Sequence, residues 1–498
     1  MMFSLLESLT EKTKLAGELA PFYRDLNLDQ VIDFVCADLD QEVRELYYRL
    51  PEDKGTEDYR RAIFAEIKEK NMLPVFQTFL DCMRKRKSCM ERKEKVEDSL
   101  QKKIWFIREA NAYREALEGL REGMEKENFS SKGLQGLKSF LEELFLGSDY
   151  VTFRKEVHSL SLELARFRVL LTYEKERFLV AEGNAKGTYG EFLKDCFPAS
   201  EAVLKSPFLA DDNFSELEAG IIRIFGKNHK HFLDKVEHFW KKHQDYANEN
   251  ILHLPREMAY YVAYLKFVLK MQENGFAFST PRISKDGLSV TGLYDLALAI
   301  TSLESGKKII SNDARLFREE SFFVLTGPNQ GGKTTYARSL GQLVYFTKMG
   351  LDVPAKAAEV PFYHALLTHF SVEESSDSGR GKLMDELARL KPMMTREQEE
   401  AFVVINELFT TAANYDARIM GKRVLEFFIG KKCQGIYVTH LNDLTHACEG
   451  VVSLRAMLDD KQVQNYQIER REAQEIAGAN RQVEKYRLTY QQIKERFS

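Results

Sequence analysis

The chain has 498 residues, of which 44% are hydrophobic and 30% are charged. This composition excludes an intrinsically disordered chain, and the length predicts roughly three domains. Lys and Arg total 72 against 76 Asp and Glu, so the net charge of -4 excludes a generally basic nucleic-acid-binding protein but not a local basic surface.

No membrane-spanning or secretory segment is expected. The sequence has no run of roughly 18 apolar residues, and its N-terminus lacks the basic-then-apolar order of a signal peptide. The six cysteines are scattered and form no CxxC pair, which is typical of reduced thiols. These features predict a cytoplasmic protein without a membrane partner.

The first part of the chain predicts helices. Residues 28–49 and 57–70 alternate apolar and charged positions at helical spacing, and residues 75–125 predict one or two long, highly charged helices. A basic run, Arg84–Lys87, lies on this stretch. We interpret it as a solvated helical lever or coiled-coil arm, with a surface that contacts the DNA backbone as the alternative, which the interspersed acidic residues weaken.

The middle of the chain predicts a hairpin followed by more helices. Residues 166–182 contain two β-rich runs that flank a charged turn, so we expect a β-hairpin. Residues 214–273 predict two or three amphipathic helices. The histidines of this stretch are interpreted as a polar helix face rather than a metal site, because no cysteine or ordered acidic partner accompanies them.

The second half predicts an α/β domain. Short β-like runs at 322–325, 402–405 and 435–438 alternate with helical stretches, which is typical of a parallel sheet with crossover helices. The tail, residues 473–498, predicts a polar amphipathic helix.

The strongest motif is a complete G-x-x-x-x-G-K-[ST] phosphate-binding loop, which follows a predicted strand and precedes a predicted helix. Its glycines let backbone N–H groups wrap a phosphate at a helix N-terminus. Lys333 is expected to reach the β- and γ-phosphates, and the Thr334 hydroxyl to ligate Mg²⁺. The predicted phosphate-contacting residues are Gly327, Pro328, Asn329, Gln330, Gly331, Gly332, Lys333, Thr334 and Thr335.

Two further strands end in polar residues that suit nucleotide hydrolysis. The run 402–405 ends in Asn406 and Glu407. Asn406 stands where an aspartate would hold Mg²⁺ through water, so we expect weakened rather than abolished metal binding, while Glu407 is the candidate general base. The run 435–438 is followed by Thr439 and His440, and His440 is predicted to face the ligand crevice and to sense the terminal phosphate or position water.

These segments together resemble the ATPase domain of the MutS family. The resemblance covers roughly residues 280–472, and residues 22–33 resemble, more weakly, the start of the family's helical core. The segments that carry it, in the family's order, are TGPNQGGKTTYARSLGQ (326–342), VPAKAAEV (353–360), SGRGKLMDEL (378–387), NELFTTAANYDA (406–417) and YVTHLNDL (437–444).

The resemblance implies a fold and a domain order. The fold class is an α/β P-loop NTPase domain, with a parallel-type sheet and flanking helices as in ABC and SMC ATPases, preceded by a mainly α-helical core and lever region with a small β clamp. The implied segments are a first core part (1–75), lever helices (76–165), a small β-containing clamp (166–205), returning helices (206–275), the ATPase domain (276–472) and a helical tail (473–498).

The resemblance also implies ATP, Mg²⁺ and a dimer. In the family a signature segment contacts the partner's nucleotide, and here it includes Ser378, Gly379 and Gly381, the last in place of a usual serine. Asp416 belongs to the implied dimer loop. Ile309 occupies the position where the family often stacks an aromatic ring on adenine.

The departures from the family shape the functional hypotheses. No domain of about 100 residues precedes Phe22, so the usual mismatch-reading wedge is expected to be absent. The first hypothesis is an ATP-driven homodimeric DNA clamp in repair or recombination, on branched or damaged DNA, associated with the nucleoid if bacterial. The alternative is a slow or non-hydrolysing ATP-binding module that recruits repair partners, and a P-loop kinase is a weaker third.

Overall fold

The computed structural model describes residues 4–6, 20–166, 169–174, 177–182, 220, 222–224, 226, 229–370, 381–395, 399–459 and 464–474. The chain divides into two compact units. The first consists of Met1–Leu5 and Glu66–Ala259, and the second of Leu6–Ala65 and Tyr260–Ser498.

The described part before residue 275 is helical apart from one hairpin. Its elements in chain order are α1 Phe22–Asp25, α2 Leu28–Val35, α3 Gln41–Tyr47, α4 Lys54–Glu69, α5 Leu73–Lys95, α6 Ser99–Glu125, α7 Lys132–Leu146, α8 Ser148–Arg166, β1 Val169–Glu174, β2 Arg177–Glu182, α9 Lys230–Lys242 and α10 Glu249–Glu273. Strands β1 and β2 pair antiparallel with Glu174 opposite Arg177, which confirms the predicted hairpin.

The long charged stretch of the first unit is a pair of packed helices. The apolar face of α5 buries Phe76, Phe79 and Met83. Asp98 caps the start of α6, and its carboxylate accepts hydrogen bonds from two backbone N–H groups of the first turn. At Gly123 an added Cβ would lie 2.4 Å from the side chain of Val75, so the two helices approach closely where α6 carries no side chain.

Part of the basic run serves this helix pairing. Arg86 and Lys93 on α5 both donate to the carboxylate of Glu109 on α6, at 3.2 and 2.6 Å, and the Glu109 side chain is only 4% exposed. Lys85 pairs with Glu115 at 3.2 Å. These charges therefore hold one helix against the next, and the lever interpretation of this stretch stays a prediction.

The second unit contains two sheets. The described elements after residue 275 are β3 Arg282–Ser284, β4 Gly287–Leu293, α11 Leu296–Ser305, β5 Asn312–Phe317, β6 Phe322–Thr326, α12 Lys333–Lys348, β7 Ala357–Pro361, β8 Leu366–Phe370, α13 Lys382–Met393, β9 Phe402–Asn406, α14 Asn414–Gly430, β10 Gln434–Val438, a 3₁₀ turn Asn442–His446, β11 Val451–Leu458 and β12 Gln464–Arg470.

The larger sheet has the order β12-β11-β6-β10-β9-β8. Strands β11, β6, β10, β9 and β8 are mutually parallel, and β12 is an antiparallel edge. The three strands predicted from the sequence are β6, β9 and β10, so the parallel-sheet prediction is confirmed for them. All five residues of β6 and of β9 are buried, as expected for central strands covered on both faces.

The smaller sheet was not predicted. It has the order β3-β7-β4-β5 and mixes parallel and antiparallel pairs. Its strands are short, and β5 alternates buried and exposed residues, so the sequence has no continuous apolar run there that would predict this sheet. The predicted tail helix, 473–498, lies outside the described residues except for its first two positions. Across the described ranges, no helix is both long and apolar enough to span a membrane.

A buried ion pair anchors the C-terminal end of α12. Lys348 donates to the Glu57 carboxylate at 2.6 Å and to the Tyr363 carbonyl at 2.6 Å. The two charged side chains are 3% and 1% exposed. Burial raises the pKa of Glu57 to about 7, and the Lys348 ammonium opposes that shift. Each charge therefore stabilises the other, because either charge alone would be costly to bury.

We expect Lys348→Met to lower the free energy of unfolding by about 3–5 kcal/mol at pH 8, because it leaves a buried carboxylate without its cation. The double variant Glu57→Gln/Lys348→Met should recover at least half of that loss. Urea denaturation followed by circular dichroism measures both. A single variant with the wild-type midpoint would show that the pair carries no such energy.

Candidate functional site

The phosphate-binding loop joins the buried strand β6 to helix α12. Gly327 and Gly332 have φ angles of 134° and 84°, which side chains other than glycine rarely adopt. A Cβ on Gly327 would lie 2.9 Å from the Cβ of Ala456, and one on Gly332 would lie 3.3 Å from the Tyr466 ring. The loop therefore depends on both glycines, and it places the N-terminus of α12 at a cavity.

Lys333 is the first residue of α12 and folds back over the loop. Its ammonium donates to the carbonyls of Gly327 and Pro328 at 2.9 and 3.0 Å. The residue is 5% exposed. Burial lowers the pKa of Lys333, and the charge of Glu407 opposes that shift. A phosphate oxygen would be a stronger acceptor for this ammonium than the two carbonyls.

The side-chain oxygens of Thr334 and Asn406, which the sequence predicts to bind Mg²⁺, lie next to each other. The Thr334 hydroxyl donates to the Asn406 side-chain carbonyl at 3.1 Å, and Asn406 ends strand β9 with 7% exposure. Both groups offer neutral hard oxygens beside the loop, which fit Mg²⁺ as part of a site that phosphates and water complete. Among the described residues, no cluster of three His, Cys, Asp or Glu side chains suits a metal ion.

Glu407 and His440 meet at the ends of neighbouring strands. The Glu407 backbone has a φ of 55°, and its N–H donates to the Val438 carbonyl at 3.0 Å. His440 Nε2 lies 3.0 Å from Glu407 Oε1. The two side chains are 46% (His440) and 30% (Glu407) exposed, so both remain open to water. A carboxylate oriented by an imidazole and open to water is suited to accept a proton.

Lys333, Thr334, Glu407 and His440 all line one cavity of about 670 Å³. It is lined by Leu293, Tyr294, Asp295, Leu298, Lys307, Lys308, Ile309, Ile310, Asn312, Asn329, Gln330, Gly331, Gly332, Lys333, Thr334, Thr335, Tyr336, Ser339, Glu407, His440 and Tyr466. The loop, the Glu407 carboxylate and apolar side chains such as Ile309 and Leu298 belong to the same lining. This combination suits a ligand with a polyphosphate and a flat apolar ring.

Tyr466 is a lining residue that sequence reasoning missed. It lies on the edge strand β12 with a φ of 60° and is 48% exposed. Asn312 holds this strand in place, because its side chain donates to the Tyr466 carbonyl at 3.0 Å and accepts from the Ile468 N–H at 2.8 Å. The polar sequence of β12 carries no nucleotide-binding motif, so only the pairing with β11 reveals its position.

The predicted site residues divide into four groups. The cavity is lined by Ile309, Asn329–Thr335, Glu407 and His440. The lining residues Lys333 and Thr334 donate hydrogen bonds to Gly327, Pro328 and Asn406. Gly381 and Asp416 are exposed at the starts of α13 and α14 and do not line it. Ser378 and Gly379 lie outside the described residues. Contact of these last four with a partner's nucleotide stays a prediction.

Comparison with known proteins gives one family. Residues 323–486 match the family described as MutS domain V. The chain is 27% identical over 209 residues to the DNA mismatch repair protein MutS of Chlamydia trachomatis, covering 40% of this chain and 25% of that protein. It is 24% identical over 187 residues to the DNA mismatch repair protein MutS of Fervidobacterium nodosum, covering 37% of this chain and 22% of that protein.

A fungal relative matches the same way. The chain is 27% identical over 171 residues to the DNA mismatch repair protein msh-2 of Neurospora crassa, covering 34% of this chain and 18% of that protein. The matched segments thus span a quarter or less of these relatives.

We expect Lys333→Met to weaken binding of nucleoside triphosphates about 10–100-fold, because it removes charge-assisted hydrogen bonds worth about 1.5–3 kcal/mol. Isothermal titration with ATP measures the change, and the exposed Lys422→Met serves as a control of equal charge. Equal affinity of the two variants would contradict the assignment of Lys333.

Proposed function

We propose that this chain is a member of the MutS family that binds and hydrolyses ATP with Mg²⁺ and couples this cycle to DNA. The observation that carries the proposal is the convergence on one cavity of the loop lysine, the Thr334–Asn406 oxygen pair and the Glu407–His440 pair. Each group suits one requirement of phosphoryl transfer to water, namely charge neutralisation, metal ligation and proton removal.

Each residue has a proposed role in hydrolysis. Lys333 exchanges the loop carbonyls for the β- and γ-phosphates and stabilises their charge. Thr334 ligates Mg²⁺, and Asn406 contacts it through water; when bound, the ion neutralises phosphate charge and orients the triphosphate. Glu407 takes a proton from the water that attacks the terminal phosphorus, the bond to the bridging oxygen breaks, and ADP leaves. His440 orients the Glu407 carboxylate.

The base and dimer contacts extend this proposal. Ile309 and Tyr466 flank the space for adenine, with Tyr466 supplying an aromatic ring that Ile309 lacks. Ser378, Gly379, Gly381 and Asp416 act on the nucleotide of a second copy in a homodimer. The exposure of Tyr415 and Ile419 on α14, 65% and 42%, supports a protein-binding surface beside Asp416.

DNA is the proposed macromolecular partner. The three relatives above carry names of DNA mismatch repair proteins. We propose that this chain contacts the phosphate backbone of duplex or branched DNA in repair or recombination, and that other repair proteins bind the nucleotide-bound dimer.

A second candidate is a slow ATP-binding assembly module. Asn406 favours it, because an uncharged amide at the metal position lowers the affinity for Mg²⁺ and with it the hydrolysis rate. ATP-dependent recruitment of partners without DNA-stimulated hydrolysis would distinguish this module from the clamp.

We expect Glu407→Gln to keep ATP affinity within about 3-fold of wild type and to reduce hydrolysis at least about 100-fold, because an amide cannot accept the proton from water. Single-turnover hydrolysis and nucleotide titration measure the two quantities. Size-exclusion chromatography with ATP should show more dimer in this variant. Wild-type turnover by Glu407→Gln would exclude Glu407 as the base.

We expect DNA affinity to fall steeply with salt, by about 10³-fold or more between 50 and 200 mM if six or more phosphates are contacted. Fluorescence anisotropy with duplex, branched and single-stranded DNA, each with ATP or ADP, measures it. A salt-independent affinity would contradict backbone contact, and no binding to any of these DNAs would favour the assembly module.

A further inference from the structure

A second carboxylate lies directly behind the candidate base. Glu386 on helix α13 is 4% exposed, and its Oε2 accepts a hydrogen bond from the backbone N–H of Phe409 at 3.0 Å. Phe409 follows Glu407 by two residues. The motif that marks Glu407 does not include Glu386, which reaches this segment from a different element.

The backbone that Glu386 contacts is strained. Glu407 and Phe409 have φ angles of 55° and 63°, in the left-handed region that non-glycine residues seldom occupy. Such conformations are unfavourable for residues with a side chain and persist only where the surroundings fix them. Leu408 and Phe409 are 3% and 2% exposed, so the segment is also packed into the core.

Two hydrogen bonds hold this segment, one to the sheet and one to α13. The Glu407 N–H donates to the Val438 carbonyl of β10 at 3.0 Å, and the Phe409 N–H donates to Glu386. The first bond fixes the start of the turn on the sheet. The second fixes the end of the turn on α13, so the direction of the Glu407 side chain depends on both.

Helix α13 is itself firmly tied to the sheet. His369 on β8 is 1% exposed, and its Nε2 lies 3.1 Å from the Glu386 carbonyl. Burial lowers the pKa of His369 to about 4, so the ring is neutral near pH 7 and Nε2–H donates this bond. Arg389, one turn along α13, donates to the Phe370 carbonyl at 2.7 Å.

We propose that Glu386 is a positioning residue for the base Glu407. It holds the strained turn through the Phe409 N–H, and it thereby keeps the Glu407 carboxylate beside His440 and the attacking water. This inference rests on the proposed ATPase function. Because α13 starts at the predicted signature segment, the same contact connects the part of the chain expected to touch a partner's nucleotide with the base of its own site.

We expect the length of the side chain at position 386, rather than its charge, to determine whether the contact with the Phe409 N–H is kept. Glu386→Gln keeps a side-chain oxygen at the same distance, so it retains the acceptor for the Phe409 N–H. Glu386→Asp keeps the charge but shortens the side chain by one methylene and loses the contact. Glu386→Ala loses both and leaves a buried N–H without its acceptor. Asp385→Asn, on the same helix, is the matched control for a loss of charge.

The experiment combines steady-state ATP hydrolysis with amide hydrogen exchange of the full-length chain. For Glu386→Asp and Glu386→Ala we expect kcat to fall at least about 10-fold with KM within about 2-fold, because misplacing a base affects the chemical step and not ATP binding. Glu386→Gln and Asp385→Asn should stay within about 3-fold of wild type. Exchange in peptides covering residues 406–411 should accelerate at least about 10-fold in the Asp and Ala variants, with residues 434–438 unchanged.

The two readouts separate the possible failures. If wild type hydrolyses ATP and Glu386→Asp keeps its kcat, the positioning role is overturned while the proposed function stands. If wild type shows no hydrolysis that depends on Lys333, the proposed function fails. In that case, unchanged hydrogen exchange at residues 406–411 in Glu386→Asp would overturn the positioning role as well. If Glu386→Ala does not fold, the Asp and Gln variants decide the question.

Discussion

The parallel pairing of β6, β10 and β9 is the constraint on which the site depends. Val438 is in register with both Leu325 of β6 and Asn406 of β9. The residues that follow these three positions therefore lie side by side at the carboxyl end of the sheet. They lead into the phosphate-binding loop, Thr439 and Glu407. A shift of one residue in either pairing would move Glu407 or His440 away from the loop, because strand positions alternate between the two faces of the sheet.

Polar contacts fasten the rest of the second unit around this sheet. The Asp25 carboxylate of α1 accepts from the Thr368 hydroxyl at 2.6 Å and from Arg389 at 3.0 Å. Its backbone carbonyl accepts from Arg338 of α12 at 3.0 Å. One short helix near the start of the chain thus touches β8, α13 and the helix that begins with Lys333. Burial raises the pKa of Asp25, and its hydrogen bonds oppose that shift, so the contacts offset the cost of burying the charge.

The parts of the site that the sequence predicted are those carried by short, local patterns. The glycine loop and the polar ends of two strands are contiguous in sequence, and the sheet rule brings them together. Tyr466, Glu386 and the Glu57–Lys348 pair escaped prediction because each acts across a long sequence separation. Glu386 lies within the segment 378–387, but that pattern does not indicate the contact with Phe409. The basic run at 84–87 shows the same limit, since its partners Glu109 and Glu115 lie on the next helix.

In the proposed ATPase, the neutral side chain of Asn406 in place of an aspartate would change the charge balance at the loop. Lys333 is buried next to Glu407, and the two opposite charges partly neutralise one another. An aspartate at 406 would add a second negative charge beside the incoming phosphates, which would repel ATP unless Mg²⁺ were present. With a neutral amide, the proposed site would meet the triphosphate with less opposing charge, so we expect ATP binding to depend less on Mg²⁺ than hydrolysis does. Under the proposed function, Asn406 would therefore separate nucleotide binding from turnover, and turnover would depend on the orientation of Glu407.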